Sequence, residues 1–428
     1  MQWGRTEGTQ LVARGPKNRW AEMRSLLSIN NYHYLRGGSE AVYFKHAEMF
    51  AAQGWEASFF SMEHDQNVPC ADSQYFADCI DYAKGGSEGR TVSNALKIVY
   101  SIEARRKLAE LLNDKKIDIA HIHSIYHHLS PSVLMELKAR GIPAVMTVHD
   151  LKLACPNNKM LNRAGVCERC KGGHVWNAVR YRCIKDSFVA SSLVALESAV
   201  HKMFGLYRHN LDRVVAPSRF YRDKLISWGF DPSWIVHIPN PVTLPETSIA
   251  PPGNYILYFG RLAPEKGLAT LVRAAAHAKV PVRIVGGGPQ EAELKGLAQQ
   301  LSAPVEFLGY LAGESLWAQV CGARAVVLPS EWYENGPMSV IEAFARGKPL
   351  IGANIGGIPE LIPGGETGWL FTSGDPNSLS GALGAAFGAP PAQLRTMGVA
   401  ARSYATRYHS EAGYYAAVSA LYENIGIR

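Results

Sequence analysis

Charged residues are scarce in this chain of 428 residues, since Asp, Glu, Lys and Arg make up 19% of it, below the ~25% typical of soluble domains. Hydrophobic residues make up 47%. This balance excludes a chain that stays disordered for want of apolar surface, and it predicts large, well-filled cores. At about 150 residues per domain, the length predicts two or three domains.

Long apolar segments are also missing. No uninterrupted apolar run reaches the ~18 residues of a membrane-spanning helix, so we expect no such helix. Residues 1–20 lack the apolar segment of a secretory signal. The seven Cys are an odd number for a disulfide framework. Together these absences predict a protein of the reducing cytoplasm.

Strand-like apolar runs alternate with helical stretches along most of the chain, which is typical of parallel sheets covered on both faces. A proline-rich segment at 238–254 interrupts this alternation, which then restarts. We therefore predict two Rossmann-like α/β domains at residues 21–243 and 244–408, after an N-terminal extension at 1–20. No GxGxxG follows the first strand, which disfavours a nicotinamide oxidoreductase.

The excess positive charge lies in the first of these halves. The chain has a net charge of +7, and residues 151–224 alone carry 14 Lys and Arg against five Asp and Glu. One interpretation is ordinary solvated charge, and the other is a surface that faces an anionic partner. No nucleic-acid-binding module accompanies the charge, so we expect no nucleic acid partner.

The segment GRLAPEKG at 260–267 follows a predicted strand and opens a predicted helix. This placement puts Arg261 and Lys266 at the carboxyl edge of a parallel sheet, where open α/β folds bind ligands. Two cations beside a helix N-terminus suit a diphosphate. Taken alone, the pattern equally fits two solvated cations on a loop.

A second constellation lies at 329–352, where Glu334 follows a buried strand and Glu342 lies eight residues later on a predicted helix with Pro337 in its first turn. A carboxylate accepts two hydroxyl hydrogen bonds, which suits adjacent sugar hydroxyls. The backbone amides from Asn335 to Ser339 suit an anion. Either Glu alone would also fit an ordinary exposed acid.

Four cysteines form a third constellation within the predicted insertion 151–186. They are Cys155, Cys167, Cys170 and Cys183, and the middle two form a CxxC pair. Four soft ligands with this pairing predict a structural zinc site, in which His174 could replace one thiolate. Unliganded thiols and a CxxC redox pair are the alternatives.

Several motifs together resemble the retaining glycosyltransferases of family 4, which have the GT-B fold. They are GRLAPEKG, the Glu-x7-Glu of ENGPMSVIE, the Ala-x-Gly-x-Pro turn after it, GGIPE (356–360), RGGSE (36–40), VHD (148–150) and APSRF (216–220). The resemblance covers almost the whole chain from about Met23. It implies two Rossmann-like domains that face a central cleft, with a last helix at 409–428 that packs back on the N-terminal domain.

The resemblance also implies roles for individual residues. Arg261 and Lys266 would hold the diphosphate of a nucleotide-sugar donor, Glu342 the ribose hydroxyls, and Glu334 the transferred sugar. His149 would bind the donor sugar or the reaction centre. The remaining donor-binding positions would be Gly37, Gly38, Asn335, Gly336, Pro337, Met338 and Ser339. The family's frequent Gly-Asp-Gly-Pro appears here as Gly287-Gly288-Pro289, so a contact from this loop to the base is not carried over.

The implied reaction is hexosyl transfer with retention, without a cofactor, in which a leaving diphosphate oxygen takes the proton of the acceptor. Asp150 is the alternative base. The acceptor would be a glycan or a polyprenyl-linked glycan of bacterial surface polysaccharide or glycolipid synthesis. We therefore expect a cytoplasmic enzyme with peripheral contact to the anionic inner face of the plasma membrane, through the basic insertion. A sugar-nucleotide epimerase of the same architecture is the alternative activity.

Overall fold

The computed structural model describes residues 23–79, 97–246 and 248–427. The predicted extension at 1–20 lies outside the described residues. The strands are β1 (Ser25–Asn30), β2 (Glu56–Phe60), β3 (Ile119–Ser124), β4 (Ala144–Thr147), β5 (Leu161–Asn162), β6 (Gly165–Val166), β7 (Arg213–Ala216), β8 (Ile235–His237), β9 (Ile256–Phe259), β10 (Val282–Val285), β11 (Val305–Gly309), β12 (Ala325–Leu328), β13 (Leu350–Ala353) and β14 (Gly368–Phe371).

The helices alternate with these strands. They are α1 (Gly38–Ala52), α2 (Ile102–Asp114), α3 (Ser132–Ala139), α4 (Asn177–Arg180), α5 (Phe188–Met203), α6 (Arg219–Ser227), α7 (Leu268–Ala278), α8 (Glu291–Gln300), α9 (Gly313–Gly322), α10 (Met338–Ala345), α11 (Pro376–Gly388), α12 (Pro391–His409) and α13 (Glu411–Asn424). Pro337 therefore precedes α10 rather than lying in its first turn, because its ψ of 108° is extended.

Two six-stranded parallel sheets organise the chain. The N-terminal sheet has the strand order β2-β1-β3-β4-β7-β8, and the C-terminal sheet has the order β11-β10-β9-β12-β13-β14. All six residues of β1 are buried, and so are all four of β9 and of β12. Helices thus cover both faces of each sheet, as the near-continuous apolar runs predict. The predicted two-domain α/β class is confirmed.

The last helix packs on the N-terminal domain. The hydroxyl of Tyr414 on α13 lies 2.9 Å from His46 Nδ1, and that of Tyr422 lies 2.6 Å from His121 Nδ1. Val418 and Leu421 join the apolar cluster of Phe50 and Trp55 there. The chain therefore crosses between the domains a second time, just before α13.

The two crossings lie side by side. Val242 N donates to the carbonyl of His409 over 2.8 Å, and the ring of His409 contacts the carbonyl of Asn240 at the same distance. Burial lowers the pKa of His409 to about 4, although this contact opposes the shift, so the ring is neutral at pH 7. The two chain segments thus form one paired connection between the domains.

Candidate functional site

The loop after β9 is shaped by its glycines. Gly260 has a φ of +151° and Gly267 a φ of +67°. A Cβ atom on Gly267 would lie 1.9 Å from the carbonyl oxygen of Pro329, so only glycine fits between this loop and the end of β12. A 3-10 turn at Pro264–Lys266 precedes α7. The loop presents Arg261, which is exposed, and Lys266, which is half-buried, at the carboxyl edge of the sheet.

Lys266 and Glu334 meet at this edge. Lys266 Nζ lies 2.7 Å from Glu334 Oε1, which also accepts hydrogen bonds from Ser330 Oγ and from Trp332 Nε1 at 2.8 Å. Glu334 is buried, at 4% exposure. All three donors share Oε1, and no described residue donates to Oε2. The carboxylate is therefore fixed in position with one oxygen left for a hydroxyl group.

The backbone of the loop that follows β12 is held by the GGIPE motif. A Cβ on Gly356 would lie 2.5 Å from Glu334 N, and one on Gly357 would lie 2.5 Å from Asn335 O. Gly357 N donates to the carbonyl of Glu334 over 2.8 Å. Without side chains, these two glycines pack directly on the loop that carries Glu334. The motif therefore has a positioning role.

The carboxyl ends of the two sheets meet at Asn335. Its Nδ2 donates to the carbonyl of Val148, the residue after β4, over 2.8 Å, and Ser218 Oγ donates to its Oδ1 over 2.9 Å. Asn240 Nδ2 donates to the neighbouring carbonyl of Gly336 over 3.2 Å. The side chain of Asn335 thus holds the domains together, and only its backbone amide remains for a ligand.

Glu342 lies on the first turns of α10 and is half-buried. Burial raises the pKa of its carboxyl group to about 7, although the charge of Arg346 opposes this shift. The guanidinium of Arg346 lies 3.5 Å from the centre of the Trp317 ring and donates to the backbone carbonyl of Glu342 over 3.1 Å. Glu342 is thus a carboxyl group that sits near half-ionisation at neutral pH.

Gly37 and Gly38 face this region from the other domain. Both are exposed at the N-terminus of α1. A Cβ on Gly38 would lie 3.0 Å from Met338 Cγ, at the start of α10. The N-termini of α1 and α10 therefore face each other across the cleft, and both direct free amide groups toward it.

His149 follows β4 on the same side of the cleft. Its Nε2 lies 3.0 Å from His123 Nδ1, and the two rings stack with centroids 5.3 Å apart. Burial lowers the pKa of His149 to about 4, so the ring is neutral at pH 7. Asp150 beside it accepts from Lys152 N at 2.9 Å and from Asn158 Nδ2 at 3.0 Å. Both carboxylate oxygens of Asp150 thus have structural partners.

Three histidines that the sequence did not single out, His46, His121 and His123, lie next to His149 in the N-terminal domain. His46, His121 and His123 are fully buried, with ring nitrogens within 4.8 Å of one another. Hydroxyl groups of Tyr414, Tyr422 and Thr147 pair with both ring nitrogens of His46 and of His121. Of the described ring nitrogens in this cluster, only His123 Nε2 lacks a partner. His46 and His121 thus belong to one hydrogen-bonded core network through Tyr422, whereas His123 contacts both by its ring and forms its hydrogen bond with His149.

The four cysteines of the predicted zinc site line one small cavity, whereas His174 is exposed and does not line it. Cys155 and Cys170 are buried, and Cys167 and Cys183 are half-buried. A hydrogen bond with Cys170 and burial raise the pKa of Cys155, and burial raises that of Cys183 to about 11. None of the four is in a disulfide.

The cysteine-containing insertion also contacts the C-terminal domain beside the Lys266 loop. Lys159 Nζ lies 2.6 Å from Glu265 Oε1. Glu168, inside the CxxC pair, accepts from Tyr333 OH over 2.8 Å and from Lys224 Nζ over 2.6 Å. Burial opposes ionisation of Glu168, but these hydrogen bonds outweigh it and lower its pKa. The insertion therefore supports the residue that precedes Glu334.

Two family models match adjoining parts of the chain. The model for Glycosyltransferase Family 4 matches residues 36–245, and that for glycosyl transferases group 1 matches residues 243–401. The chain belongs to the group 1 glycosyltransferases. The motifs that carry the resemblance are divided between the two matched regions, and Lys266 and Glu334 lie in the second of them. No helix among residues 23–79, 97–246 and 248–427 is both long and apolar enough to cross a bilayer.

Two curated relatives of this chain are named as sugar transferases. It is 31% identical over 159 residues to the putative colanic acid biosynthesis glycosyltransferase WcaL of Escherichia coli, which covers 34% of this chain and 38% of that one. It is 31% identical over 196 residues to the D-rhamnosyltransferase WbpZ of Pseudomonas aeruginosa, which covers 41% of this chain and 50% of that one. The matched regions thus span half or less of these relatives.

Solved structures share the fold of this glycosyltransferase. Sucrose-phosphate synthase from Thermosynechococcus elongatus superposes with a TM-score of 0.66 at 22% identity, over 94% of this chain and 99% of that one. Anabaena HepE, solved with UDP, gives a TM-score of 0.64 at 17% identity, over 94% and 100%. The predicted GT-B architecture is therefore confirmed.

Proposed function

We propose that this glycosyltransferase moves a hexosyl group from a nucleotide-diphosphate sugar to a glycan or lipid-linked glycan, with retention of configuration. The observation that carries the proposal is the pairing of Lys266 with Glu334 at 2.7 Å on a strand edge that faces the N-terminus of α1. A cation for a leaving diphosphate and a carboxylate for sugar hydroxyls then lie side by side. Relatives in polysaccharide synthesis support the acceptor class.

Donor binding follows from this arrangement. Arg261 and Lys266 would hold the diphosphate, together with backbone amides at the start of α10 and at Gly37 and Gly38. The full set of loop positions is Asn335, Gly336, Pro337, Met338 and Ser339. When the diphosphate binds, the ammonium group of Lys266 would interact with the phosphate oxygens as well as with Glu334. Glu334 would then accept hydrogen bonds from the sugar hydroxyls.

In the transfer step, the bond from the anomeric carbon to the diphosphate oxygen breaks, and the acceptor oxygen bonds that carbon on the same face. The freed diphosphate oxygen takes the acceptor's proton. Burial lowers the pKa of His149 to about 4 and so makes it a weak base, and both carboxylate oxygens of Asp150 accept structural hydrogen bonds, which favours this route over a protein base. Lys266 and the helix amides would stabilise the charge that develops on the diphosphate. The transfer itself would need no cofactor.

The donor base is best tested first with uridine compounds, because structures of Anabaena HepE hold UDP and UDP-glucose. The Gly287-Gly288 turn carries no side chain for a base. A Cβ on Gly288 would lie 2.3 Å from the carbonyl oxygen of Leu262, so this turn packs against the Arg261 loop instead. Selection of the base would therefore depend on other parts of the cleft.

The proposal is tested by the dependence of nucleoside diphosphate release on acceptor. With a nucleotide sugar and a polyprenyl-linked glycan fraction, we expect release only when acceptor is present, together with a product heavier by one hexosyl residue in mass spectrometry. An epimerase would instead isomerise the donor without acceptor. Retention is read from the anomeric coupling constant of the product by NMR.

Glu342 makes donor affinity depend on pH. Its pKa of about 7 means that it loses its proton between pH 6 and pH 8, and only the carboxylate form accepts two ribose hydroxyl hydrogen bonds. We expect donor affinity to rise up to ~10-fold over this interval, since one pH unit below the pKa leaves about a tenth of the group ionised. Calorimetric titration of a nucleotide sugar at pH 6, 7 and 8 measures this.

The matched control for Glu342 is Glu342→Gln, which should bind more weakly at pH 8 and show a flat profile. Equal pH profiles of wild type and variant would remove Glu342 from the donor site.

The carboxyl group of Glu342 also affects the stability of the free protein. Its folded pKa exceeds the ordinary 4.5, so its contribution to the free energy of unfolding falls as pH rises from about 4.5 to 7.

Membrane contact would come from helix α5. Its solvent face is apolar, with Phe188, Val189, Leu196 and Met203 at 61%, 75%, 48% and 72% exposure. The exposed cations Arg182, Lys185 and Arg208 lie before and after the helix. An apolar helix face between cations suits the interface of an anionic bilayer. The acceptor side of the cleft would thereby stay near a polyprenyl-linked substrate at the inner face of the plasma membrane.

We expect wild-type protein to sediment with vesicles that contain phosphatidylglycerol and to bind purely zwitterionic vesicles weakly. Replacing both Val189 and Met203 with Ser should weaken this binding at least ~10-fold, because each apolar side chain contributes about 1 kcal/mol or more on insertion. The control is Tyr310→Ser, which removes an equally exposed side chain, at 81%, from the other domain. Equal loss in both variants, or dimerisation through α5, would contradict membrane contact.

A further inference from the structure

The four cysteines of the insertion come from three separate turns. Cys155 lies in the loop after β4, Cys167 and Cys170 follow the β5–β6 hairpin, and Cys183 follows α4. They line the same cavity, with its other walls formed mostly by uncharged side chains such as those of Met160 and Ala178. The CxxC spacing alone explains why Cys167 and Cys170 are neighbours, whereas the fold brings Cys155 and Cys183 to the same cavity.

Backbone hydrogen bonds fix each of these turns. Cys167 N donates to the carbonyl of Met160 over 2.8 Å, and Cys183 N donates to the carbonyl of Ala178 over 2.9 Å. Asn157 Nδ2 donates to the carbonyl of Cys183 over 3.0 Å, which joins the first turn to the last. The fold thus sets the backbone of these turns, while no three of the four sulfur atoms lie within 4.8 Å of one another, so one bound ion would draw the thiol groups closer together.

We propose that Cys155, Cys167, Cys170 and Cys183 bind one structural zinc ion. Thiols are weak hydrogen-bonding groups, and four of them in one place stabilise the surrounding turns little by themselves. As thiolates around zinc they form a closed tetrahedral site, and metal binding then contributes directly to folding. Four protein ligands leave no open position, so this ion takes no part in the transfer of sugar.

The position of Glu168 gives the zinc site a consequence at the cleft. Glu168 lies between the two cysteines of the CxxC pair and accepts hydrogen bonds from Tyr333 and Lys224. Tyr333 immediately precedes Glu334 in the loop after β12. The zinc-bound turn would therefore hold Glu168 against the donor loop, and Glu168 acts as a positioning residue.

Elemental analysis tests the metal site directly. Protein purified under reducing conditions without chelator should contain one zinc per chain. Cys167→Ser and Cys183→Ser should lose it, and Cys321→Ser, a half-buried cysteine outside the cluster, should keep it. Protein that holds less than a tenth of this zinc, and that does not take up added zinc, would overturn the proposal. Retention of zinc in both cluster variants would do the same.

The wild-type protein gives a second measurement in case the cysteine variants do not fold. Exchange of the bound ion for Co²⁺ should produce intense visible bands and a thiolate charge-transfer band, the signature of tetrahedral sulfur coordination. A weak spectrum typical of six oxygen ligands would overturn the assignment to these cysteines.

Glu168→Gln separates positioning from metal binding. This variant should keep its zinc and its thermal stability, while donor affinity falls several-fold because Tyr333 and Lys224 lose a charged acceptor. Unchanged donor affinity would overturn the positioning role of Glu168 without affecting the zinc assignment. A donor that fails to bind the wild type would instead count against the proposed function.

Discussion

Glu334→Gln is expected to reduce sugar transfer ~100–1000-fold while the protein stays folded. The carboxylate is buried and its Oε1 accepts three hydrogen bonds, so that in the proposed reaction Oε2 would contact the transferred sugar. Gln keeps the shape and an acceptor for Ser330 and Trp332, but it removes the negative charge near the reacting carbon. A contact that strengthens in the transition state is worth about 2.7–4 kcal/mol.

The measurement is the initial rate of acceptor-dependent diphosphate release, with the melting temperature as a check on folding. Glu293→Gln, on the exposed side of α8 in the same domain, is the matched control and should keep wild-type turnover. Turnover of Glu334→Gln within threefold of wild type would remove Glu334 from the reaction centre.

Lys266→Ala should lower turnover by a similar factor, ~100–1000-fold, for a different reason. Its ammonium group would neutralise the leaving diphosphate, and alanine leaves that charge to Arg261 and the helix amides. The control is Lys295→Ala, which removes an exposed lysine that pairs with Glu291 on α8. Loss of activity in Lys295→Ala, or unchanged activity in Lys266→Ala, would contradict this role.

The two substitutions should not be additive. Lys266 and Glu334 are in contact, and residues in one hydrogen-bond network couple by about 0.5–3 kcal/mol. We therefore expect the double variant to be only slightly slower than the slower single variant. Fully multiplicative losses would mean that the residues act at separate places.

The loops at the carboxyl edge of the C-terminal sheet were predictable from the sequence, because GRLAPEKG and the Glu-x7-Glu pair each follow a buried apolar strand. Helix α5 was not. Its buried face carries the polar Ser191, Glu197 and His201 beside Val194 and Ala195, whereas the larger apolar Phe188, Val189, Leu196 and Met203 are exposed to solvent. This arrangement is the reverse of the pattern from which a helix packed on a sheet is recognised.

Contacts between distant segments were also beyond the sequence. Glu168 and Tyr333 are 165 positions apart, and the packing of the two domains brings them into contact. His123 gave no signal beside His121, because a strand buried on both faces makes polar and apolar positions equally internal. The side chain of Asn335 joins the two domains, a contact that its position in the sequence does not indicate, and its backbone amide stays a predicted donor contact.

Ligand-dependent thermal unfolding tests the central claim most directly. UDP, GDP and ADP, and their sugars, would be added to wild type and to Lys266→Ala. The account predicts that one nucleotide class stabilises the wild type, by ~2.7 kcal/mol at 100 times its dissociation constant, and stabilises the variant far less. If no nucleotide raises the melting temperature of the wild type, or if one raises it equally in both proteins, the donor site is not where these residues lie.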